Sequence, residues 1–273
     1  MRNDPLHSPH IAIPQDHGSW VFLLSPLLIG LFASGRFSLA SGFLTFTSLA
    51  AFFLRQPFSI LVKVLSGRRP RTDLPASLLW SSFYALLILG GMIGLVLSGS
   101  ARLLVLAIPA VPVFALHMFL VSRRAERKQA GVEIAASGVL ALSAPAAYWI
   151  GHEGQIWQGL LLWGLVWLQS AASIVYAYLR LNQRVLHAIP QRPERWKSGQ
   201  RAFLYTSFNL AAALTAGFTG ITSSLLFLAF AVQWLETLWG IDHPAVGVKP
   251  TRIGLRQLLV SSLFTILFIL TWR

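Results

Sequence analysis

QIWQGLLLWGLVWLQSAASIVYAYL, residues 155–179, runs for 25 residues without an Asp, Glu, Lys or Arg. A helix needs about 20 apolar residues to cross a hydrocarbon core about 30 Å thick, so this stretch is long enough to span a bilayer. Its polar members are not scattered. Gln169, Ser173 and Tyr176, continued by Arg180 and Arg184 beyond the apolar run, follow at steps of four, three, four and four, which places them on one helix face.

Eight further apolar stretches of similar character lie at about 19–34, 37–54, 77–97, 102–121, 130–150, 202–217, 219–239 and 253–272. With 155–179 they predict an all-α, polytopic membrane helix bundle of about nine transmembrane helices. Residues 1–18 form an N-terminal segment on the cytoplasmic side, and residues 19–273 a single transmembrane domain. The first two spans are separated only by Gly35 and Arg36, which predicts a tight helical hairpin. A cleaved signal peptide is the competing reading of the first span, because Ala33, Ser34 and Gly35 are small. The eighteen residues before it carry Asp4 and Asp16 against Arg2, a poor leader.

Composition agrees. The chain is 55% hydrophobic and 11% charged, whereas a soluble domain carries roughly 25% charged residues, so it lacks the charge to cover a water-facing surface. The formal charge of +13 would suit a nucleic-acid binder, but the basic residues cluster between apolar spans and no nucleic-acid partner is expected. Cytoplasmic loops are enriched in Lys and Arg. With the N-terminus inside and the C-terminus outside, 19 of the 22 Lys and Arg residues fall on the cytoplasmic side, leaving Arg36, Arg102 and Arg273 outside. This predicts a multi-pass protein of the cytoplasmic membrane.

Pro26, Pro109, Pro112 and Pro145 lie inside spans, where neighbouring helices can satisfy the freed carbonyls, and predict kinks rather than ends. Gln56 to Leu65 is amphipathic and too short to cross; it either lies in the interface or extends the second helix inward. The absence of Cys excludes disulfides, thiolate metal sites and a thiol nucleophile. No His or carboxylate spacing suits a metal, and there is neither a phosphate-cradling Gly-rich loop nor a Gly-x-Ser-x-Gly elbow. No metal and no cofactor is expected.

Ionisable groups in the membrane ask for an explanation, since each costs about 2.5–3.5 kcal/mol on insertion scales. His117, Glu133 and Glu236 are such groups, with Gln169, Asn209 and Gln233 their uncharged counterparts. Thr45, Ser48, Phe52, Arg55 and Ser59 stripe the second span, Ser77, Ser81 and Tyr84 the third, and Arg201, Tyr205 and Asn209 the seventh. If these stripes face that of the sixth span, they enclose an inward-opening cavity rimmed by cations. Its candidate anion-binding residues are Arg55, Lys63, Arg68, Arg69, Tyr176, Arg180 and Arg184. Its candidate polar lining is His17, Gln169, Ser173, Tyr205, Asn209, Gln233 and Glu236. Against this stands the role of Ser, Thr, Asn and Gln as interhelical glue and of terminal Arg and Lys as headgroup anchors.

Gln15-Asp16-His17-Gly18-Ser19-Trp20, leading into a run with Pro26 and Gly30, resembles the His-Gly-Ala-Trp opening of the YwiC-like family. Val246-Gly247-Val248-Lys249-Pro250 with Arg252-Ile253-Gly254-Leu255-Arg256, Tyr176 to Arg180, and Arg69-Pro70 fit as well, so the resemblance covers most of the chain. It implies a bacterial or archaeal integral membrane protein and supplies no reaction. The architecture is also similar to that of UbiA-type prenyltransferases, which have nine helices, an inside N-terminus and functional loops after helices two and six. In that family each loop carries an Asp-rich motif holding magnesium on a prenyl diphosphate. Here Asp73 is the only acid between Arg55 and Leu74, and Glu194 the only one between Arg180 and Arg201. If the chain is an enzyme it is a membrane transferase, without that metal cluster. Guanidinium groups can hold a phosphate directly. The leading expectation is therefore a protein that binds an anionic amphiphile, an isoprenoid phosphate or lipid headgroup, in a basic cytoplasm-facing cavity. The alternatives are a secondary transporter for a small anion, or an accessory subunit that meets a membrane-protein partner through 180–201 and 240–251.

Overall fold

The computed structural model describes residues 9–14, 17–125 and 129–272, and they contain helices and no strand. After a short turn, α1 (Pro9–Ala12), come α2 (Val21–Ser34), α3 (Leu39–Leu65), α4 (Leu74–Leu97), α5 (Ala110–Ser122), α6 (Ala130–Ala141), α7 (Ser143–Gly151), α8 (Ile156–Gln183), α9 (Arg192–Phe218), α10 (Phe227–Asp242) and α11 (Pro250–Thr271). Six helical stretches are long and apolar enough to cross a membrane: Leu39–Leu65, Arg71–Leu97, Ala101–Ser122, Ala130–Gly151, Ile156–Gln183 and Pro250–Thr271. Val21–Ser34 is a shorter apolar helix. Large apolar side chains such as Leu79, Phe83, Leu86 and Ile93 on α4 are exposed, as a lipid-facing surface requires and a water-facing one does not. The chain is an integral, multi-pass, all-helical membrane protein.

Local sequence explains most of the boundaries. Gly35 ends α2 in the left-handed region at φ 63°, and Ser38 begins α3 by accepting the Ser41 N–H while Ser41 caps Ser38 in return. The link is short, as read from the sequence, yet the two helices do not form an isolated hairpin: α2 packs chiefly on α7 and α11, α3 on α4. Residues 56–65 continue α3 without a break. At 1.5 Å per residue its 27 residues measure roughly 40 Å, longer than a hydrocarbon core, so the basic end projects beyond it.

The prolines behave differently from one another. Pro26 and Pro57 sit inside continuous helices. Pro109 instead marks a boundary, with a 3-10 helix over Ala101–Ala107 before it and α5 after it. Pro145, which lacks an N–H to offer Ala141, stands in the first turn of α7 just after the break at Leu142. The kinks expected at Pro109 and Pro145 are thus a change of helix type and a break, and Pro112 falls in the first turn of α5. The eighth span also starts later than 219: Gly220 takes φ 73° and residues 219–226 form turns before α10 begins.

α8 lies at the heart of the bundle, touching α2, α6, α7, α9, α10 and α11. Leu162, Leu165 and Val166 meet Phe230, Phe264 and Phe268 in the principal core, where Phe230 and Phe264 cross edge to face at 5.3 Å. In lipid, helix association relies on close packing, because the tails are as apolar as the side chains. Gly30 is the clearest instance: a Cβ there would lie 2.7 Å from Ala144 Cα, so glycine lets α2 close on α7.

Candidate anion-binding site

The C-terminal ends of α8 and α10 and the N-terminal end of α11 come together around a cavity of about 230 Å³. Glu236 of α10 is its one carboxylate and is buried. Arg256 of α11 grips it through two bonds, Nε to Oε1 at 2.6 Å and Nη2 to Oε2 at 2.8 Å, and the Tyr176 hydroxyl of α8 donates to Oε1 at 2.7 Å. A forked guanidinium on a carboxylate is the strongest common form of ion pair. The Arg256 Cζ also stands 3.5 Å from the centre of the Trp239 ring, within cation–π range.

Arg180 of α8 is buried and held differently. Its Nη1 donates to Gln183 Oε1 at 2.8 Å, to Gly240 O at 2.7 Å and to His243 O at 2.8 Å. The last two are at the C-terminal end of α10, where outward carbonyls favour a cation. Gln183 ties the corner down by donating to Gly240 O and accepting from the Ala245 N–H. Gly240 is needed for this approach, since a Cβ would fall 2.7 Å from Tyr176 Cε2. Arg252, one helical turn before Arg256, completes the basic lining and makes no side-chain hydrogen bond or ion pair among the described residues.

A polar seam runs from this cavity into the bundle. Gln257 donates to Ser173 Oγ at 2.6 Å and to Gln233 Oε1 at 2.9 Å, and Gln169 lies 3.5 Å from Gln233 Oε1. The stripe read on the sixth span is thus a buried line, with Gln169, Ser173, Tyr176 and Arg180 all inside. Of the other residues singled out by sequence, Arg184 is half-buried and caps α8 without lining the cavity. Tyr205 packs beside Tyr176 and lies under Arg201, while Asn209 donates to Leu168 O at 2.8 Å and joins α9 to α8. Glu133 accepts from the Tyr178 hydroxyl at 2.7 Å. The side chain of His17 lies outside the described residues.

The second-span candidates are elsewhere. α3 packs on α4, α5 and α7 and makes no comparable contact with α8. Arg55 lies over Phe52, Arg68 donates to Val121 O, and Arg69 pairs with Asp73 at 2.9 Å. Lys63 sits in the last turn of α3. None of the four lines the cavity. The third-span stripe likewise faces the N-terminal turn, with the Tyr84 hydroxyl donating to Ala12 O. Sequence reasoning placed Arg252 and Arg256 among the cytoplasmic cations and in the resembling motif but not among the site residues, and passed over Trp239 and Gln257. One signal was available: Glu236 needs a partner inside a membrane, and Arg252 and Arg256 share a face at a spacing of four.

Residues 13–148 match the family model described as YwiC-like protein. The chain is YwiC-like over that segment. No curated protein and no solved structure matches it. Within the YwiC-like segment fall the opening motif and Arg69-Pro70, and Trp20 of the opening packs on Phe52 and Phe53 of α3 at 5.2 and 5.3 Å. Tyr176 to Arg180 and Val246 to Arg256 lie beyond it. Every residue of the candidate site therefore belongs to the part of the chain that follows the match, and the site stands on its geometry.

Proposed function

We propose that this YwiC-like membrane protein binds an anionic amphiphile, an isoprenoid phosphate or lipid headgroup, from the cytoplasmic side. One observation carries the reading: three arginines, Arg180, Arg252 and Arg256, line one cavity with a single carboxylate. The arginine fork recognises phosphate oxygens, and the distribution of Lys and Arg supports a cytoplasmic position for this end of the bundle. The size supports a headgroup over a whole ligand, because about 230 Å³ falls below the roughly 300–1,000 Å³ of drug-sized pockets. Trp239, Val248 and Ile253 supply apolar wall beside the arginines for the first carbons of a tail that remains in lipid. The reading requires no Asp-rich loops and no contribution from α3.

A ligand that binds only the folded state raises its stability. Phosphatidylglycerol and geranylgeranyl diphosphate should raise the unfolding temperature of the protein in neutral detergent, and phosphatidylcholine should not. Arg252→Gln should reduce the rise, since that side chain has no partner among the described residues to leave unsatisfied. If no anionic amphiphile raises the temperature beyond phosphatidylcholine, the reading is wrong.

A further inference from the structure

The charges around the cavity do not cancel, and their excess specifies the ligand. Glu236 is neutralised by the forked Arg256. Arg180, though buried, has no carboxylate partner among the described residues; the oxygens on its Nη1 belong to two backbone carbonyls and an amide, which orient the guanidinium without carrying net charge. Its Nε and Nη2 donate to nothing among the described residues. Arg252, exposed at the cavity rim, adds a second guanidinium without a partner among the described residues. An uncompensated buried cation such as Arg180 is costly in a low-dielectric setting, and the N-terminal turn of α11, whose Arg252 and Ile253 line the cavity, adds the positive end of a helix dipole.

We infer that the ligand group is a dianionic tetrahedral phosphate, a phosphomonoester or terminal diphosphate, and that the site discriminates against singly charged phosphodiesters. A dianion can engage the buried Arg180 and the exposed Arg252 at once, whereas a diester that neutralises Arg180 has no second charge for Arg252. A terminal phosphate also offers three unesterified oxygens to the forked donors, where a diester offers two. This inference rests on the proposed anion site and sharpens it.

The test compares lipids of the same acyl chains that differ only in headgroup esterification. Binding of phosphatidic acid and of phosphatidylglycerol to the full-length protein in neutral detergent is measured near pH 7.5, where the phosphomonoester is largely dianionic because its second pKa is about 6. Phosphatidic acid should bind about tenfold tighter or more. Arg252→Gln should bring the two affinities toward equality, while Arg71→Gln, an exposed arginine outside the cavity, should leave their ratio unchanged. Displacement of phosphatidic acid by millimolar methyl phosphate would support the same dianion recognition with a soluble phosphoester, and failure to displace it would support recognition that needs the lipid. Equal affinities for phosphatidic acid and phosphatidylglycerol in the wild-type protein overturn the dianion inference and leave the anion site standing. Binding of neither removes the site itself.

Discussion

Glu236 is asked to satisfy three donors, Tyr176 Oη and two nitrogens of Arg256, from a position only 9% exposed. The pair is asymmetric, because the Arg256 side chain is 43% exposed and its head can reach water. Removing the arginine strands a buried carboxylate, whereas removing the acid leaves a cation that can rehydrate. Arg256→Gln should therefore destabilise the protein by about 2–3 kcal/mol, more than Glu236→Gln, and the double variant should recover part of the loss. Unfolding in mixed micelles checks this; strictly additive losses would show the two side chains to be uncoupled. Gly240→Ala should cost about 1–3 kcal/mol through the clash with Tyr176, with loss of anion binding as Tyr176 and Arg180 shift. At this scale the sequence was informative along one helix and silent across helices. Gln169, Ser173, Tyr176 and Arg180 were legible as a line because helix periodicity is local. That Arg256 closes on Glu236, and that Trp239 lies against it, depends on how α10 and α11 dock, which no spacing within either helix encodes.

Elements were legible wherever apolar length decided them. α8, α4 and α11 lie within a few residues of the spans read from hydropathy, because a run of about twenty apolar residues has few alternatives in a bilayer. The errors fell where polar punctuation was weak. Residues 219–226 are apolar enough to extend a span but carry Gly220 in a left-handed turn, and Pro109 divides a segment whose hydropathy is uniform. The second-span stripe was a real stripe that faces another neighbour, since amphipathicity shows that a face is buried without saying against what. α2 illustrates the opposite case. At 14 residues it is short for a crossing, and it is buried among α6, α7 and α11 rather than set at the rim. Gly30→Ala should push α2 from α7 and destabilise the bundle by about 1–3 kcal/mol. Gly90→Ala, with nothing within 4 Å of the new Cβ, should be neutral or slightly stabilising. Equal effects at the two glycines would mean that the α2–α7 approach does not matter.

For the whole molecule the account rests on orientation. If the chain crosses nine times with the N-terminus inside, as the positive-inside distribution predicts, the loop between α8 and α9 is cytoplasmic and the loop after α4 is outside. The absence of cysteine makes the test clean. A membrane-impermeant maleimide should label Ser98→Cys in intact cells and Ala188→Cys only after permeabilisation; the reverse pattern would turn the cavity to the outside and remove the cytoplasmic part of the proposal. Composition made the membrane-spanning, all-helical character legible, because apolar length acts through the bilayer, a uniform solvent. The ligand was less legible, because only folding brings Arg180, Arg252 and Arg256, scattered over two spans, to a single cavity.

The most direct measurement of the central claim is to locate a bound anionic amphiphile. A phosphatidic acid analogue carrying a photoactivatable group next to its glycerol is crosslinked to the protein in nanodiscs, and the modified peptides are mapped by mass spectrometry. The account predicts labelling concentrated between Trp239 and Gln257, displaced by excess unlabelled phosphatidic acid and weakened by Arg252→Gln. Labelling spread over the exposed apolar face of α4, unaffected by competitor or by Arg252→Gln, would contradict it.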